Sequence, residues 1–304
     1  MKVAVVGAGA MGSLFGALLA EAGAAVWLVD VWEAHMEAVN SKGLSIEREG
    51  QVRRVALNAT TDPREIGNCD LVIVFVKSIH TGDASRTAAM LAGKDGLVVT
   101  LQNGMGNADR IAQDVDPKKV IAGTTSYGGT MLGPGKIRHA GVGPTTIGMW
   151  HEGDSAKAKY VAAFLSKSGI ETHVSADVKS LVWGKLLINV GINAITALTG
   201  IKNGQLLDCE STVGLVKTAV EEAITVAEAQ GVVVRKDAVS HVLEVAKATA
   251  GNRSSMGQDI DNQRPTEIEA INGVVVREAE RLGMQAPVNR TLTTLVETLQ
   301  THYS

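Results

Sequence analysis

Cysteine is nearly absent: Cys69 and Cys209 are the only two in 304 residues. Two isolated thiols without metal-ligand spacing exclude a disulfide-stapled scaffold and a cysteine metal cluster, and they point to a reduced, cytoplasmic setting. Aromatic residues make up only 3% of the chain, against 33 glycines and abundant alanine, valine and leucine. That balance argues against an all-β sandwich and suits layered α/β packing. Charge of one sign is also lacking, since 29 basic and 32 acidic side chains leave a net charge of -3. No field of that size recruits nucleic acid or a membrane surface, so the expected partner is a small molecule. No uninterrupted apolar run of ~18 residues demands a bilayer. Internal repeats, low-complexity tracts and charged tails are missing as well.

What remains is enough chain for two compact domains, because single cores stop growing near ~250 to 300 residues. Up to about residue 175, short β-branched runs alternate with helical patterns: Lys2 to Val6, Ala25 to Val29, Asp70 to Val76, Leu97 to Leu101 and Lys119 to Thr124. Runs apolar on both faces, such as Leu71 to Val76, predict a parallel sheet covered by helices on both sides. Further strands are expected after Ile137 and Thr145, where Gly141, Gly143 and Pro144 mark turns. From Asp177 the pattern becomes helical, over 177–199, 211–230, 236–250, 267–282 and 290–302. The expected architecture is α/β, with a doubly wound sheet domain over 1–175 and an all-helical domain over 176–304. Met1 to Val29 is apolar, but Glu21 interrupts it and its glycines fall at fixed offsets, so it reads as strand, helix and strand rather than as a signal peptide.

The offsets in question are Gly7-Ala8-Gly9-Ala10-Met11-Gly12, a G-x-G-x-x-G run that follows an apolar strand and opens a helix. In that context it is the Rossmann-type dinucleotide fingerprint. Gly7 permits the tight turn, Gly9 close approach of backbone to pyrophosphate, and Gly12 close packing of helix on strand. Asp30 ends the second strand 18 positions beyond Gly12. A carboxylate there accepts from ribose hydroxyls and repels a 2′-phosphate, and no Lys or Arg lies between Asp30 and Asn40, so NAD(H) is preferred over NADP(H). The alternative is that Asp30 only caps the helix that follows. Lys77 and Asn103 lie just after later strands, where strand ends face a cofactor; each also has a plain reading, as a solvated helix start and an ordinary Asn-Gly turn.

In the helical half, Leu181 to Ile195 is apolar nearly all round, interrupted by Lys185, Asn189 and Asn193. The i, i+4, i+8 spacing aligns these three on one face. Burying an ammonium and two amides without partners is costly, so the stripe should face polar groups, water or a ligand in a cleft against the nucleotide domain. The alternative is a polar seam between helices, with Lys185 snorkelling to water. A second polar cluster runs from Asn252 through Ser255 to Asp259, followed by Thr266-Glu267 at a helix start. There Ser255 reads as a cap and Glu267 as first-turn charge.

Taken in order, these motifs resemble the ketopantoate reductase (2-dehydropantoate 2-reductase) family over essentially the whole chain. The residues that carry the resemblance are Gly7 to Gly12, Asn103-Gly104-Met105-Gly106, Trp183-x-Lys185 with Asn189 and Asn193, Ser254-Ser255-Met256-x-Gln258-Asp259, and Thr266-Glu267-Ile268 with Ile271-Asn272-Gly273. The resemblance implies an NAD(P)H-dependent oxidoreductase reducing a 2-oxo acid, typically ketopantoate to (R)-pantoate on the route to pantothenate and coenzyme A. It implies Lys185 as the catalytic acid, Asn103 as a positioner of cofactor and substrate, and Asn189, Asn193, Asn252, Ser255 and Glu267 as substrate ligands, with no metal. Many family members prefer NADPH and place a basic residue where this chain has Asp30. That departure keeps open a related NAD-dependent D-2-hydroxyacid dehydrogenase acting on other bulky 2-oxo acids. A fingerprint alone shows binding and not turnover, so a non-catalytic dinucleotide sensor is the reading from another class. The helical domain could offer an apolar homodimer face.

Overall fold

A computed structural model describes residues 1–303. By internal contacts the chain divides into two compact units, one of Met1–Gln102 with Asn107–Val178, the other of Asn103–Gly106 with the chain from Lys179 on.

The first unit holds β1 (Lys2–Val6), α1 (Ala10–Glu21), β2 (Ala25–Val29), α2 (Glu33–Lys42), β3 (Leu44–Arg48), β4 (Gln51–Val55), β5 (Asn58–Thr60), β6 (Leu71–Val74), α3 (Thr81–Ala92), β7 (Leu97–Thr100), α4 (Asn107–Ile111), β8 (Val120–Thr125), β9 (Gly128–Gly133), β10 (Lys136–Gly141), β11 (Thr145–Met149), α5 (Ser155–Lys167) and β12 (Thr172–Val174). Eight strands form one sheet in the order β12-β11-β8-β7-β6-β1-β2-β5. All neighbours are parallel except β11 on β8. Strands β6 and β7 are buried at every position, as their unbroken Val/Ile/Leu runs require of a sheet with helices on both faces. The core gathers Leu14, Phe15, Leu28 and Ile73 around β1, with Phe15 against Phe75 and Tyr127 at centroid distances of 4.9 and 5.5 Å. Because β1 lies between β2 and β6, the winding direction reverses there, and the carboxyl ends of these three strands open the crevice that such sheets use for ligands.

The sequence reading has no counterpart for a second sheet, of order β4-β3-β10-β9. The strand expected after Ile137 joins this sheet rather than extending the first. Hairpin β3–β4 turns on Glu49 and Gly50, with φ of 53° and 79°, the doubly positive pair that a tight hairpin needs. Strand β4, Gln-Val-Arg-Arg-Val, buries only Val55 and leaves Val52 63% exposed, so it shows no apolar alternation.

The second unit is helical: α6 (Val178–Thr199), α7 (Glu210–Ala229), α8 (Ala238–Ala248), α9 (Ser255–Asp261), α10 (Ile268–Arg281) and α11 (Pro287–Gln300). Trp183, Leu186, Leu187 and Val190 of α6 lie at its core among Val216 and Val220 of α7, Val242 of α8 and Ile271 and Val275 of α10. Although Lys185, Asn189 and Asn193 interrupt it, α6 is by length and composition apolar enough to cross a membrane, with a mean hydropathy of 1.5 over its best window. However, 67% of that window is buried inside the protein, as in the core helix of a soluble fold. A buried polar chain pins the helices together. Asn272 Nδ2 donates to Asn289 Oδ1 (2.9 Å), Asn289 Nδ2 donates to Ala219 O (2.9 Å), and Glu222 accepts the Val288 and Asn289 N–H groups at the start of α11.

Candidate active site

In the first unit, the fingerprint residues form the turn between β1 and α1. Gly7 has φ of +97°, and a Cβ there would lie 2.5 Å from Val76 N, just beyond β6. A Cβ on Gly12 would lie 1.9 Å from Gly7 O and 3.1 Å from Val5 Cγ1, so only glycine lets helix and strand approach this closely. Nothing lies within 4 Å of the Cβ position of Gly9. The first intrahelical bond runs from Ser13 N to Gly9 O, and no side chain caps the preceding N–H groups of Ala10, Met11 and Gly12. This cradle of backbone donors fits a pyrophosphate.

Asp30 is half-buried at the end of β2, and its carboxylate is already engaged on both oxygens. Oδ2 accepts the Ala8 N–H at 2.7 Å and Oδ1 accepts the Trp32 N–H at 3.1 Å. It is therefore tied to the glycine turn itself, whereas α2 begins only at Glu33 and has no side-chain cap. Each oxygen keeps a further lone pair for a ribose hydroxyl. Lys77 is half-buried beyond β6, at the start of a short 3₁₀ turn over Ser78–His80. Nearby, Gln102 Nε2 donates to Val76 O (2.7 Å) and Thr81 Oγ1 (2.9 Å), holding the chain that packs on Gly7.

In the second unit, Lys185, Asn189 and Asn193 form the expected stripe on α6. Lys185 and Asn189 are half-buried. Burial pushes the Lys185 ammonium down to about 8, against the opposing pull of the Glu267 carboxylate. Asn103 joins the pair across 164 residues of chain, its Nδ2 donating to Glu267 Oε2 at 3.2 Å. The turn that carries Asn103 is seated on α10: Met105 N donates to Ala270 O at 2.9 Å, and a Cβ on Gly104 (φ +82°) would lie 2.3 Å from that same oxygen. Only glycine admits this approach. Asn193 is 5% exposed, and its Nδ2 has no hydrogen-bond partner among the described residues. A buried amide donor left unpaired is costly, so this position calls for an explanation beyond packing.

The comparisons with known proteins cover the whole chain. Residues 3–152 match the family described as Ketopantoate reductase PanE/ApbA, and residues 177–300 match Ketopantoate reductase PanE/ApbA C terminal. The chain belongs to the ketopantoate reductase family. As a member of the ketopantoate reductase family, it is an oxidoreductase. It is 41% identical over 302 residues to a 2-dehydropantoate 2-reductase of Halobacterium salinarum, covering 99% of each, and 35% identical over 298 residues to one of Pyrococcus abyssi, covering 98% and 97%. Among solved structures it is similar to a PanE/ApbA family ketopantoate reductase from Ralstonia eutropha (TM-score 0.90, 32% identity, 99% of each chain). It is also similar to D-mandelate dehydrogenase in a ternary structure with NADH and anilino(oxo)acetate (TM-score 0.92, 30% identity, 99% of each chain).

In this ketopantoate reductase family member, the structure gathers Lys185, Glu267 and Asn103, with Asn189 and Asn193 following along α6. Asn252 and Ser255 are exposed and make no side-chain hydrogen bond among the described residues. The cap of α9 is Ser254 and not Ser255: Ser254 is buried, and its Oγ accepts the Gly257 N–H at 3.0 Å. Thr196 Oγ1 donates to that Ser254 Oγ at 2.7 Å, and Arg253 Nη1 donates to the carbonyls of Thr196 and Ile201. These contacts fasten the start of α9 to the stripe helix. Sequence reading missed Thr196, although its position three beyond Asn193 continues the same helical face.

Proposed function

We propose that this chain reduces a 2-oxo acid with a nicotinamide dinucleotide, ketopantoate being the substrate and (R)-pantoate the product. Residues 1–175 hold the dinucleotide and residues 176–304 the oxo acid. The observation that carries this reading is Lys185, held down to about 8 by burial yet kept cationic by Glu267, on the same helix face as the unpaired Asn193 donor. When bound, the nicotinamide supplies a hydride to the keto carbon. The carbonyl π pair then passes to oxygen, and Lys185 stabilises the developing negative charge and gives that oxygen its proton. The neutral amine left behind is reprotonated from water. With a pKa of about 8, roughly nine-tenths of Lys185 carries its proton at pH 7, close to the operating range that suits a general acid. Asn189, Asn193, Asn252 and Ser255 bind the substrate, Glu267 accepts from its hydroxyl, and Asn103 positions substrate and cofactor against Glu267.

Gly7, Ala8, Gly9, Ala10, Met11 and Gly12 would receive the pyrophosphate, and Lys77, beyond β6, would also contact the cofactor. NADH is the preferred form, because the Asp30 carboxylate at the ribose position repels a 2′-phosphate. That same feature, with the likeness to D-mandelate dehydrogenase, favours one second reading: a D-2-hydroxyacid dehydrogenase for other bulky 2-oxo acids. Rates of NADH and NADPH oxidation with ketopantoate, and with branched and aromatic 2-oxo acids, separate the two. Turnover of ketopantoate above the others supports the first reading. Turnover of the others with none of ketopantoate defeats it.

A further inference from the structure

Beneath the glycine turn lies a buried chain of hydrogen bonds that neither the fingerprint nor the hydride chemistry requires. His35 of α2 and Ser13 of α1 are both fully buried. His35 Nδ1 accepts the N–H of Gly135, between β9 and β10, at 2.8 Å. A backbone N–H can only donate, so Nδ1 carries no proton and the proton of the neutral ring is on Nε2. Nε2 lies 3.1 Å from Ser13 Oγ and donates to it, and Ser13 Oγ donates in turn to Ala8 O at 2.8 Å. The Ala8 N–H is already spent on Asp30 Oδ2, at 2.7 Å. Both backbone polar groups of Ala8 are thus held, one by the acid at the ribose position and the other by a relay running back to a different sheet. Trp32 closes one face of the imidazole, stacked at 5.2 Å and 18°. Burial pushes the imidazole below its ordinary range, against the pull of the Asp30 carboxylate and of the Ala8 backbone, which the ring also engages, in keeping with a neutral ring.

We propose that His35 and Ser13 are positioning residues for the dinucleotide: their relay, anchored on Gly135, fixes the Ala8 backbone and thereby aims the turn's N–H groups and the Asp30 carboxylate. The inference rests on the dinucleotide reading above. A merely structural trio would contribute stability and nothing else, whereas a positioning relay acts on cofactor affinity through the Nε2 side of the ring, which faces Ser13 and Ala8, and not through the Gly135 tie. Two replacements of His35 divide the arms. Asn supplies an acceptor in place of Nδ1 and keeps the Gly135 tie but cannot reach Ser13. Gln supplies a donor in place of Nε2 and keeps the Ser13 tie but strands the Gly135 N–H.

The test is NADH and NADPH titration of the full-length protein by nucleotide fluorescence, with Tm and the KM for each substrate, in Ser13→Ala, His35→Asn and His35→Gln. Ser13→Ala is a favourable helix substitution and folds. Ser13→Ala and His35→Asn should weaken the preferred dinucleotide about tenfold, the usual worth of one buried hydrogen bond, and leave the KM for the oxo acid within about twofold. His35→Gln should lower Tm yet keep dinucleotide affinity within about threefold. Unchanged affinity in Ser13→Ala, or affinity losses that follow Tm across all three variants, overturns the relay alone. Wild-type protein that binds neither dinucleotide overturns the dinucleotide reading, and this inference with it.

Discussion

Replacing Glu267 with Gln removes the charge that opposes the burial of Lys185, and the consequence is a displaced pH profile. In the wild type, burial pushes Lys185 down to about 8 while the Glu267 carboxylate pulls the other way. An opposite charge within ~4 to 6 Å is worth about 1 to 3 pH units. Taking the low end, the Lys185 pKa in Glu267→Gln falls by about one unit, to near 7. The sign follows from the role of the ammonium: a general acid works below its pKa and is lost as pH rises through it. The alkaline limb of kcat/KM should therefore sit near 8 in the wild type and about one unit lower in the variant. At about pH 9 the wild type keeps roughly one tenth of its protonated lysine and the variant about one hundredth. Near pH 6 the wild type is almost fully protonated and the variant about nine-tenths so, and the lost substrate contact accounts for nearly all of the difference there. The assay is initial-rate kcat/KM for ketopantoate from about pH 6 to about pH 10, with the loss at low pH subtracted from the loss at high pH. An alkaline limb that stays in place, or that moves upward, would refute the coupling between Glu267 and Lys185.

Asp30→Ser combined with Val31→Arg should move the NADPH to NADH ratio of kcat/KM towards NADPH; an unmoved ratio reduces Asp30 to its bonds with Ala8 and Trp32. Asn193→Leu removes a buried donor that has no partner among the described residues. It should leave Tm unchanged or higher while raising the KM for the oxo acid about tenfold or more, and a fall in Tm without a KM effect would assign Asn193 to the core. Gly104→Ala places a methyl 2.3 Å from Ala270 O at a positive φ. Displacing Asn103 from Glu267 should cost on the order of tenfold or more in kcat/KM for the oxo acid, and wild-type kinetics would show that the turn can shift without consequence.

Much of the molecule is legible before any coordinates, for identifiable reasons. Strands β1 and β2 begin and end where their apolar runs do, and β6 and β7 declare themselves by being buried on both faces. The second sheet leaves no such trace, because β4 is polar on both faces and β9 is largely glycine, threonine and one exposed leucine. The stripe on α6 is visible because i, i+4 spacing has one geometric meaning on a helix. The pairing of Asn103 with Glu267 is not, since nothing local in Asn103-Gly104 says that Ala270 receives the turn. Asp30 is found by its offset from Gly12, whereas its bond to Ala8 depends on how the turn folds back. The cap of α9 was misplaced by one residue because Ser254 and Ser255 are equivalent until helical register chooses between them.

The claim at the centre is that Lys185 donates the proton of a reduction, and Lys185→Ala tests it most directly. Ketopantoate turnover should fall by a factor on the order of 100 or more, the scale of a lost acid, while NADH binding by the same preparation stays at the wild-type level. A variant that reduces ketopantoate at the wild-type rate would remove Lys185 from the chemistry and contradict the account.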